Sequence, residues 1–411
     1  MLKILQDVPI RSIFHLFLVR GSVYLFPFIT LPIVTRSFDV AQFGIFSLFL
    51  AAQQYFIMIV EYGFTLTGSR DVARISAKSE EIKILSEIMT CRMLIFLLCT
   101  PVIIGVYFIL QVSGYLGCYV ILFFTIASSI LNQTHFFIGK EKTGFIVIST
   151  SISRILSILI VVLFVRDNGD MHIAMLAYSI NVALPNLLSS LYLRFYLKYK
   201  FSGEFSWKNI YWRFKVGFDI FISNIFTNIY TTLTLMYLGS VKGPIETGYY
   251  SSAEKLKAAA QGAIAPIAQA FFPRIAKKNG AEFYILWRKS TIILVSVSVC
   301  IVALLLVFSQ PVYKLLLGSQ YIAGIQIYYV LLFSIISVSF GVAYAQNLYL
   351  TQGQTKLLRA IYFFVSILHL IHMPVLVHFY GAIGAALSVL FTESLASLLM
   401  FTFRKRCFTW S

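Results

Sequence analysis

Apolar residues occur along this chain in long runs, each close to twenty residues in length, and short polar segments separate the runs. About 20 apolar residues are enough for a helix to cross the hydrocarbon core of a bilayer. The pattern therefore predicts an all-α integral membrane protein with about twelve transmembrane helices, at 12–35, 43–65, 86–109, 115–137, 144–165, 171–193, 214–238, 249–272, 290–310, 322–347, 357–378 and 382–403.

Composition supports this interpretation. Of the 411 residues, 59% are hydrophobic and 12% are charged, whereas a soluble chain carries about 25% charged residues. Many of the 38 Phe and 24 Tyr residues lie near the ends of apolar runs, where aromatic side chains favour the membrane interface. The net charge of +17 arises from short basic clusters between the runs. We therefore expect a membrane environment and no nucleic-acid partner.

The distribution of Lys and Arg predicts the orientation of the chain. Twenty-four of the 33 Lys and Arg residues fall on one side of the predicted membrane, four fall on the other side, and five fall within spans. Cytoplasmic loops of membrane proteins carry the excess of Lys and Arg. Both termini are therefore expected in the cytoplasm.

The loops and motifs exclude several classes of chemistry. No segment between spans exceeds about 22 residues, and the chain has no G-x-x-x-x-G-K-[ST] motif for direct use of ATP. The five cysteines are scattered and lack metal-ligand spacing. His369 and His372 have no carboxylate or Cys beside them and are interpreted as interfacial residues. No catalytic residue, metal or cofactor is expected.

Related segments occur in the two halves of the sequence. Residues 42–47 (QFGIFS) and 246–251 (ETGYYS) place Gly44 and Gly248 204 positions apart, and residues 132–142 resemble 347–356. Six helices per repeat give both halves the same orientation, as in transporters built of two parallel repeats. The repeat predicts two six-helix lobes related by a pseudo-twofold axis along the membrane normal, at 1–193 and 214–411, with a basic cytoplasmic linker at 194–213.

Ionisable residues inside the predicted spans are the candidate functional residues. Each costs about 2.5–3.5 kcal/mol at the centre of a membrane helix and therefore requires a partner or a function. The cations are Arg20, Arg92, Arg154, Lys255 and Lys257, and the anions are Glu61, Asp219, Glu254 and Glu393.

Position within a span separates some of these residues. Arg154 lies in mid-span, where Ser and Thr neighbours extend its polar face, and it is expected to line a cavity, with a structural ion pair as the alternative. Arg92 is close enough to the cytoplasmic end to extend to the membrane surface, whereas Arg20 fits either arrangement. Glu254 has the spacing for an ion pair with Lys257. Glu61 and Glu393 fit either cation sites or partners of an arginine.

The seventh span carries a polar stripe. Its members recur at intervals of three and four residues and are Asp219, Ser223, Thr227, Tyr230, Thr231 and Thr234. One polar face on an apolar helix predicts the lining of a water-filled cavity, with hydroxyl contacts between helices as the alternative. Lys257 and Gln261 extend a similar face in the eighth span.

Prolines mark candidate hinges, because proline removes a helical hydrogen bond and bends the helix. Pro27 and Pro32 interrupt the first span, and Pro266 interrupts the eighth. A bending gate is predicted there, with ordinary kinking as the alternative.

The chain resembles polysaccharide flippases of the Wzx type, which belong to the multidrug/oligosaccharidyl-lipid/polysaccharide exporter superfamily, in segments 27–36, 43–46, 61–73 and 249–255. Residues 37–39 (SFD) depart from the leucine-glycine pair that is usual there. The resemblance implies two six-helix lobes that move undecaprenyl-pyrophosphate-linked oligosaccharide, an O-antigen or similar repeat unit, from the cytoplasmic to the periplasmic leaflet of the bacterial inner membrane by alternating access. It also implies a polysaccharide polymerase and chain-length machinery as downstream partners.

The same resemblance assigns roles to the intramembrane residues. A cationic cavity suits a pyrophosphate, whose oxygens pair well with basic side chains; its residues would be Arg20, Arg154, Lys255, Lys257 and Gln261. Proton or sodium coupling, or charge pairing, would fall to Glu61, Asp219, Glu254 and Glu393. The alternatives are an ion-coupled multidrug exporter of the same superfamily and a membrane-embedded O-antigen polymerase.

Overall fold

A computed structural model of the protein describes residues 26–109, 113–199 and 206–407. Nearly all residues in these ranges are helical, and none of them lies in a β-strand. Residues 26–37 form the first helix described, α1. Arg20 and most of the predicted span at 12–35 lie outside the described residues.

The described helices follow one another with short connections. Seven helices follow α1 in the first half of the chain: α2 (Val40–Glu61), α3 (Phe64–Ala73), α4 (Lys78–Ile109), α5 (Leu116–Ser128), α6 (Thr134–Gly139), α7 (Thr143–Phe164) and α8 (Met171–Leu191). The second half contains α9 (Trp207–Asn228), α10 (Thr234–Gly262), α11 (Ala265–Ile275), α12 (Gly280–Val307), α13 (Ser309–Leu316), α14 (Ile325–Tyr344) and α15 (Thr355–Phe403).

Eight helices in the described ranges are long and apolar enough to cross a membrane, which confirms a multi-pass, all-α membrane protein. Their bounds are Val40–Ala73, Lys78–Gly105, Leu116–Gly139, Thr143–Phe164, Asn168–Tyr196, Gly280–Val307, Ser319–Leu350 and Thr355–Phe403. The predicted spans at 214–238 and 249–272 fall on α9 to α11, which are more polar because they contain most of the candidate charges of the second half.

Glycines in the left-handed region divide the long helices. Gly381 (φ 57°) separates the 49 residues of α15 into a first half, 355–380, and a second half, 382–403. Gly243 (φ 81°) similarly interrupts α10. The second half of α15 begins at Ala382, whose backbone N–H donates to a carboxylate oxygen of Glu246 at 2.8 Å. A carboxylate at a helix N-terminus satisfies an otherwise unpaired donor and complements the helix dipole. These breaks explain why the sequence shows separate apolar runs at 357–378 and 382–403.

Contacts group the described residues into two compact units. The N-terminal unit comprises 48–109, 113–199 and 206–228, and the C-terminal unit comprises 26–47 and 229–407. In the N-terminal unit α7 packs on α8, and α8 also packs on α5; in the C-terminal unit α15 packs on α14 and α10. This grouping assigns α1 to the C-terminal unit and α9 to the N-terminal unit. The lobe bounds 1–193 and 214–411 stay a prediction.

The two repeat segments of the sequence contact each other reciprocally within the C-terminal unit. A Cβ atom at Gly44 would overlap the carbonyl oxygen of Pro244, and one at Gly248 would overlap the carbonyl oxygen of Val40. Ser251 Oγ donates to Ser47 Oγ at 2.6 Å. Val40 and Pro244 are themselves 204 residues apart, as the two glycines are. Gly44 contacts Pro244, and the repeat equivalents of these two residues, Gly248 and Val40, also contact each other. A local twofold axis produces this kind of exchange between equivalent residues.

Candidate functional site

Glu61 lies in a cluster of charged and polar groups inside the N-terminal unit. Arg92 Nη2 donates to its two carboxylate oxygens at 3.0 Å and 2.9 Å. The carboxylate also accepts from the backbone N–H and hydroxyl of Thr65 and from the amide of Asn132. Arg92 Nη1 donates to the backbone carbonyl of Asn132. The structure therefore pairs Glu61 with an arginine, which was one of the two arrangements that the sequence allowed.

The prediction that Arg92 extends to the membrane surface is wrong. Its side chain is 0% exposed. A guanidinium can form this pair only by leaving water, and the loss of hydration is offset by the bidentate carboxylate and the carbonyl that surround it. The sequence could not reveal this, because Glu61, Arg92 and Asn132 are separated by 31 and 40 residues.

A second ionic cluster, which sequence analysis missed, attaches α9 to the rest of the N-terminal unit. Arg213 donates from Nη1 to Asp71 at 2.5 Å and from Nε to Glu87 at 3.0 Å. Asn209 donates to the other oxygen of Glu87 at 2.7 Å. All three charged side chains are largely buried. In the sequence, Arg213 falls in the predicted basic linker at 194–213, and no pattern there indicates its partners.

Glu81 is the centre of a neighbouring contact in the same unit. It accepts hydrogen bonds from Lys140 and from the hydroxyl of Tyr199. Burial, together with this hydrogen bond to a carboxylate, raises the pKa of the Tyr199 phenol. Tyr199 therefore stays protonated and acts as a permanent donor to Glu81.

Arg154 lies on α7 of the N-terminal unit and is half-buried. Ser149, Ser153 and Ser157 are fully buried on the adjacent face of the helix. The hydroxyl of Ser153 donates to the carbonyl of Ser149 at 2.6 Å, so this serine is satisfied by its own helix. Of the residues predicted to extend the polar face of Arg154, Ser157 is buried and Thr150 and Ser151 are half-buried, and the role of Arg154 in a cavity stays a prediction.

The polar stripe predicted along the seventh span does not occupy one face. Asp219 and Thr231 are exposed, whereas Tyr230 and Thr234 are buried. A π-helical segment, Ile229–Leu233, joins α9 to α10. Its wider turn changes the helical phase, and therefore residues that share a face in a regular α-helix separate here. The prediction that these residues form one continuous cavity lining is therefore wrong.

Lys255 borders an apolar cleft of about 340 Å³ in the C-terminal unit. Pro27 and Pro32 of α1 lie on one wall, and Ala259 and Leu304 lie on others. Lys255 is the one charged residue in the lining that the described residues provide. Its electrostatic neighbour is Glu254, and it forms no hydrogen bond or ion pair with the described part of the chain. An ammonium group in an apolar cleft can bind an amphiphilic anion.

The candidate hinge prolines lie at different positions within their helices. Helix α1 continues through Pro32 to residue 37. Pro266 is buried in the first turn of α11, a position where the missing N–H costs no helical hydrogen bond. The interruption in the predicted eighth span therefore lies between Gly262 and Ala265, at the end of one helix and the start of the next. A hinge role for these prolines stays a prediction.

Lys257 lies on the buried side of α10 and is only 6% exposed. It lies close enough to the half-buried Glu393 on α15 to interact electrostatically. Among the described residues, the predicted ion pair between Glu254 and Lys257 does not form. One turn after Lys257, the amide nitrogen of Gln261 is buried without a hydrogen-bond partner in the described ranges. The structure thus brings Lys257 and Glu393 together, which the sequence had left unconnected.

Two histidines extend this polar interior. His369 is 0% exposed, so its interpretation as an interfacial residue is wrong. Its Nε2 lies 2.9 Å from the hydroxyl of Thr234, and its Nδ1 lies 2.7 Å from the hydroxyl of Thr392. His372 Nε2 lies 3.3 Å from the same Thr392 hydroxyl. The i, i+3 spacing of the two histidines is visible in the sequence. Their hydrogen-bond partners lie on other helical segments, so the spacing does not indicate them.

Comparison with known proteins identifies similar chains. The family model described as Polysaccharide biosynthesis protein matches residues 10–279. A Shigella dysenteriae protein is 31% identical over 95% of this chain and 98% of its own length, and an Escherichia coli K12 protein is 27% identical over 96% of each. Both carry the name "Putative O-antigen transporter".

Solved structures show the same fold at low sequence identity. An inward-facing multidrug resistance transporter of the MATE family in the MOP superfamily has a TM-score of 0.74 at 13% identity, over 95% of this chain and 97% of its own. The lipid II flippase MurJ, in an inward closed conformation, has a TM-score of 0.74 at 16% identity, over 95% and 87%. The fold is therefore that of helical membrane transporters.

Proposed function

Because the chain belongs to the Polysaccharide biosynthesis protein family, we propose that it flips undecaprenyl-pyrophosphate-linked oligosaccharide, such as an O-antigen repeat unit, from the cytoplasmic to the periplasmic leaflet of the bacterial inner membrane. The resemblance to Wzx-type flippases is confirmed, and the chain is a membrane transporter of polysaccharide or lipid-linked substrates, not an enzyme. The near full-length similarity to two proteins that carry the name "Putative O-antigen transporter" carries the proposal.

The chemistry of Lys255 and its cleft supports this class of substrate. A polyprenyl diphosphate joins an anionic head to an apolar chain. The cleft offers one ammonium group against apolar walls of α1, α10 and α12, and a charge-assisted hydrogen bond from Lys255 to phosphate is stronger than a neutral one. An organic cation would meet a repulsive charge there. The cleft therefore favours the lipid-linked anion over the cationic drugs of a multidrug exporter.

Other residues of the predicted spans are also proposed to bind the substrate. Arg20, Arg154, Lys257 and Gln261 are proposed to contact the diphosphate and sugars in a cationic central cavity. Moving two negative charges outward across an inside-negative potential of 100 mV releases about 4–5 kcal/mol, which assists transport in the proposed direction. The distribution of Lys and Arg supports cytoplasmic termini.

Alternating access requires two halves that rock about a shared contact. The reciprocal contacts of Gly44 with Pro244 and of Gly248 with Val40 support such an axis. We propose that twelve helices form two lobes and that these glycines, where backbones approach closely, lie at the pivot. Pro27, Pro32 and Pro266 are proposed to accommodate bending nearby.

The test is deletion of the chain in its host, followed by analysis of lipid-linked oligosaccharide in each leaflet. We expect single repeat units to accumulate on the cytoplasmic leaflet and surface polysaccharide to disappear, with both restored by the wild-type chain. A downstream polymerase would then lack substrate. Normal lipid pools together with lost dye efflux would instead support a multidrug exporter and contradict the proposal.

A further inference from the structure

A hydrogen-bonded cluster around His369 lies inside the C-terminal unit, away from the apolar cleft of Lys255. It joins α10, through Thr234, to both halves of α15, through His369 and Thr392. Thr234 and His369 are fully buried, and Thr392 is 2% exposed. The histidine is thus held at both ring nitrogens by hydroxyl groups on other helical segments.

The hydroxyl protons determine what the histidine can do. A threonine hydroxyl has one donor proton and two acceptor lone pairs. Thr392 Oγ1 lies 2.8 Å from the carbonyl of Ser388, which accepts its proton. Toward His369 Nδ1, at 2.7 Å, Thr392 must therefore act as the acceptor. This fixes a proton on Nδ1 in every state of the cluster.

Thr234 has two competing acceptors for its single proton. Its hydroxyl lies 2.9 Å from His369 Nε2 and 3.3 Å from the carbonyl of Tyr230. With a neutral ring, the hydroxyl donates to Nε2. With a proton on Nε2, the hydroxyl rotates, donates to the Tyr230 carbonyl and accepts from the ring. Both states leave the two ring nitrogens hydrogen-bonded without moving a helix.

We infer that His369 is a proton-binding site, with Thr234 as a hydroxyl switch, and that it couples transport to proton exchange. The coupling part of this inference rests on the proposed function. On one side of the cycle an N–H bond forms at Nε2 and an O–H bond of hydronium breaks; on the other side the N–H bond breaks and the proton returns to water. The proton is the ligand, and Thr234 and Thr392 are positioning residues.

The surrounding charges permit both states. Glu393 lies close enough to Lys257, Tyr230 and Tyr362 to interact with them electrostatically. His372 approaches from the same half of α15, with ring centroids 5.2 Å apart. From α14, the nearby contact is between the hydroxyls of Ser337 and Ser394 at 2.9 Å. Protonation of His369 adds one positive charge to this interior.

His372 extends the cluster around His369 toward a less buried position. It is half-buried, in contrast to the enclosed His369, and its Nε2 reaches the Thr392 hydroxyl at 3.3 Å. Its Nδ1 is buried and has no hydrogen-bond partner in the ranges that the structure describes. A buried ring nitrogen without a partner costs stability. Because the Thr392 hydroxyl donates to Ser388 and accepts from His369 Nδ1, it also acts as the acceptor toward His372 Nε2, and the three residues form one hydrogen-bonded cluster.

The first test follows the ring nitrogens directly. Full-length protein labelled with ¹⁵N-histidine is titrated in nanodiscs from about pH 8 to about pH 5, the range in which histidine changes charge. The His369 signals are assigned from His369→Gln, and the exposed His378 is the matched control, with His378→Gln. We expect Nδ1 of His369 to stay protonated and Nε2 to gain a proton on acidification. A ring that stays neutral throughout overturns the inference.

Thr234→Val tests the switch while the histidine remains. It removes the group that accepts from protonated Nε2, and because charge-assisted hydrogen bonds are about twice as strong as neutral ones, we expect the proton affinity of His369 to fall about tenfold. The same titration measures this shift. An unchanged proton affinity excludes Thr234 as the switch and overturns that part of the inference.

The second test measures coupling in proteoliposomes. The probe is a fluorescent polyprenyl-diphosphate oligosaccharide, its leaflet distribution is read by dithionite quenching, and valinomycin with potassium fixes the membrane potential. For one exchanged proton, the leaflet ratio should change about tenfold per pH unit of gradient. His369→Gln should still flip the probe without this response, whereas His378→Gln should respond as wild type does.

The outcomes separate the two proposals. A wild-type ratio that ignores the pH gradient, that follows a sodium gradient instead, or that His369→Gln leaves unchanged contradicts proton coupling through His369 while leaving the flippase function intact. If the wild-type protein does not move the probe at all, the proposed function fails for that substrate. The titration then still decides whether His369 binds a proton.

Discussion

Each of the two units contains a polar cluster among its helices, and the two clusters differ in the kind of charge they hold. In the N-terminal unit, Glu61 and Arg92 form a bidentate pair. In the C-terminal unit, His369 lies between two hydroxyls, and Lys257 faces Glu393 without a close ion pair in the described ranges. Arginine keeps its charge at any physiological pH, whereas histidine does not.

This difference indicates that the two clusters have different roles. A permanent buried pair holds helices in one arrangement, because separating the partners would leave an uncompensated charge. A histidine between reorientable hydroxyls can change its charge while its hydrogen bonds are kept. The N-terminal cluster therefore suits a rigid element, and the C-terminal cluster suits a step that repeats in every transport cycle.

Arg92→Ala is expected to have the largest effect on stability. It leaves the half-buried carboxylate of Glu61 without its cation, and breaking such a pair costs up to about 3–5 kcal/mol of unfolding free energy. Thermal unfolding of the purified protein in detergent measures the loss. The matched control is the double variant Arg92→Met with Glu61→Leu, which removes both charges and should recover most of the stability. A single variant as stable as wild type would contradict the structural role of the pair.

Gly44→Leu should lower the free energy of unfolding by an intermediate amount, because the new side chain overlaps the backbone of Pro244, which cannot move aside as a side chain can. Forcing extra atoms into a packed contact costs about 1–3 kcal/mol. Gly105→Ala is the control, since no described atom lies within 4 Å of its added Cβ. Both are compared by thermal unfolding and by surface polysaccharide in complemented cells. Equal behaviour of the two variants would exclude a close backbone contact at Gly44.

His369→Gln should destabilise the protein less than Arg92→Ala does. The amide can replace one of the two hydrogen bonds, and each such bond contributes about 1 kcal/mol. Thr234 and Thr392 retain their own helix carbonyls as partners, so little remains unsatisfied. Thermal unfolding of both variants side by side measures the difference. A loss as large as that of Arg92→Ala would mean that His369 is mainly structural.

Lys255→Ala should leave stability nearly unchanged, within about 0.5 kcal/mol, since Lys255 has no hydrogen bond or ion pair among the described residues to lose. Transport should fall about 10- to 100-fold, which corresponds to the loss of one charge-assisted hydrogen bond of about 1.5–3 kcal/mol. Flipping of the fluorescent probe measures this. The exposed Lys278→Ala, which removes a surface pair with Glu282, is the matched control and should transport normally.

The fold was largely predictable, because crossing a membrane imposes a length and an apolar composition that the sequence displays directly. Runs at 43–65, 86–109 and 290–310 fall on α2, α4 and α12. The expectations that failed concern polar groups. Arg92 was expected at the surface and His369 at the interface, because in each case the partner lies on another helix, and neither hydropathy nor helical spacing contains information about it.

The π-helical segment at Ile229–Leu233 shows a second limit. Spacing arguments assume one continuous helical phase, and a single wider turn moves Thr231 to the exposed side while Tyr230 and Thr234 stay buried. The spacing pattern identified the polar residues correctly, but it did not show which of them are exposed and which are buried.

By itself, the sequence determined that this protein spans a membrane many times and which charges in its predicted spans require explanation, because both follow from the cost of placing a polar side chain in hydrocarbon. Only the tertiary structure decided how those charges are arranged. It paired Arg92 with Glu61, brought Lys257 toward Glu393, placed His369 between two threonines and left Lys255 facing an apolar cleft. Partnership depends on which helices pack together, and that is a property of the folded chain.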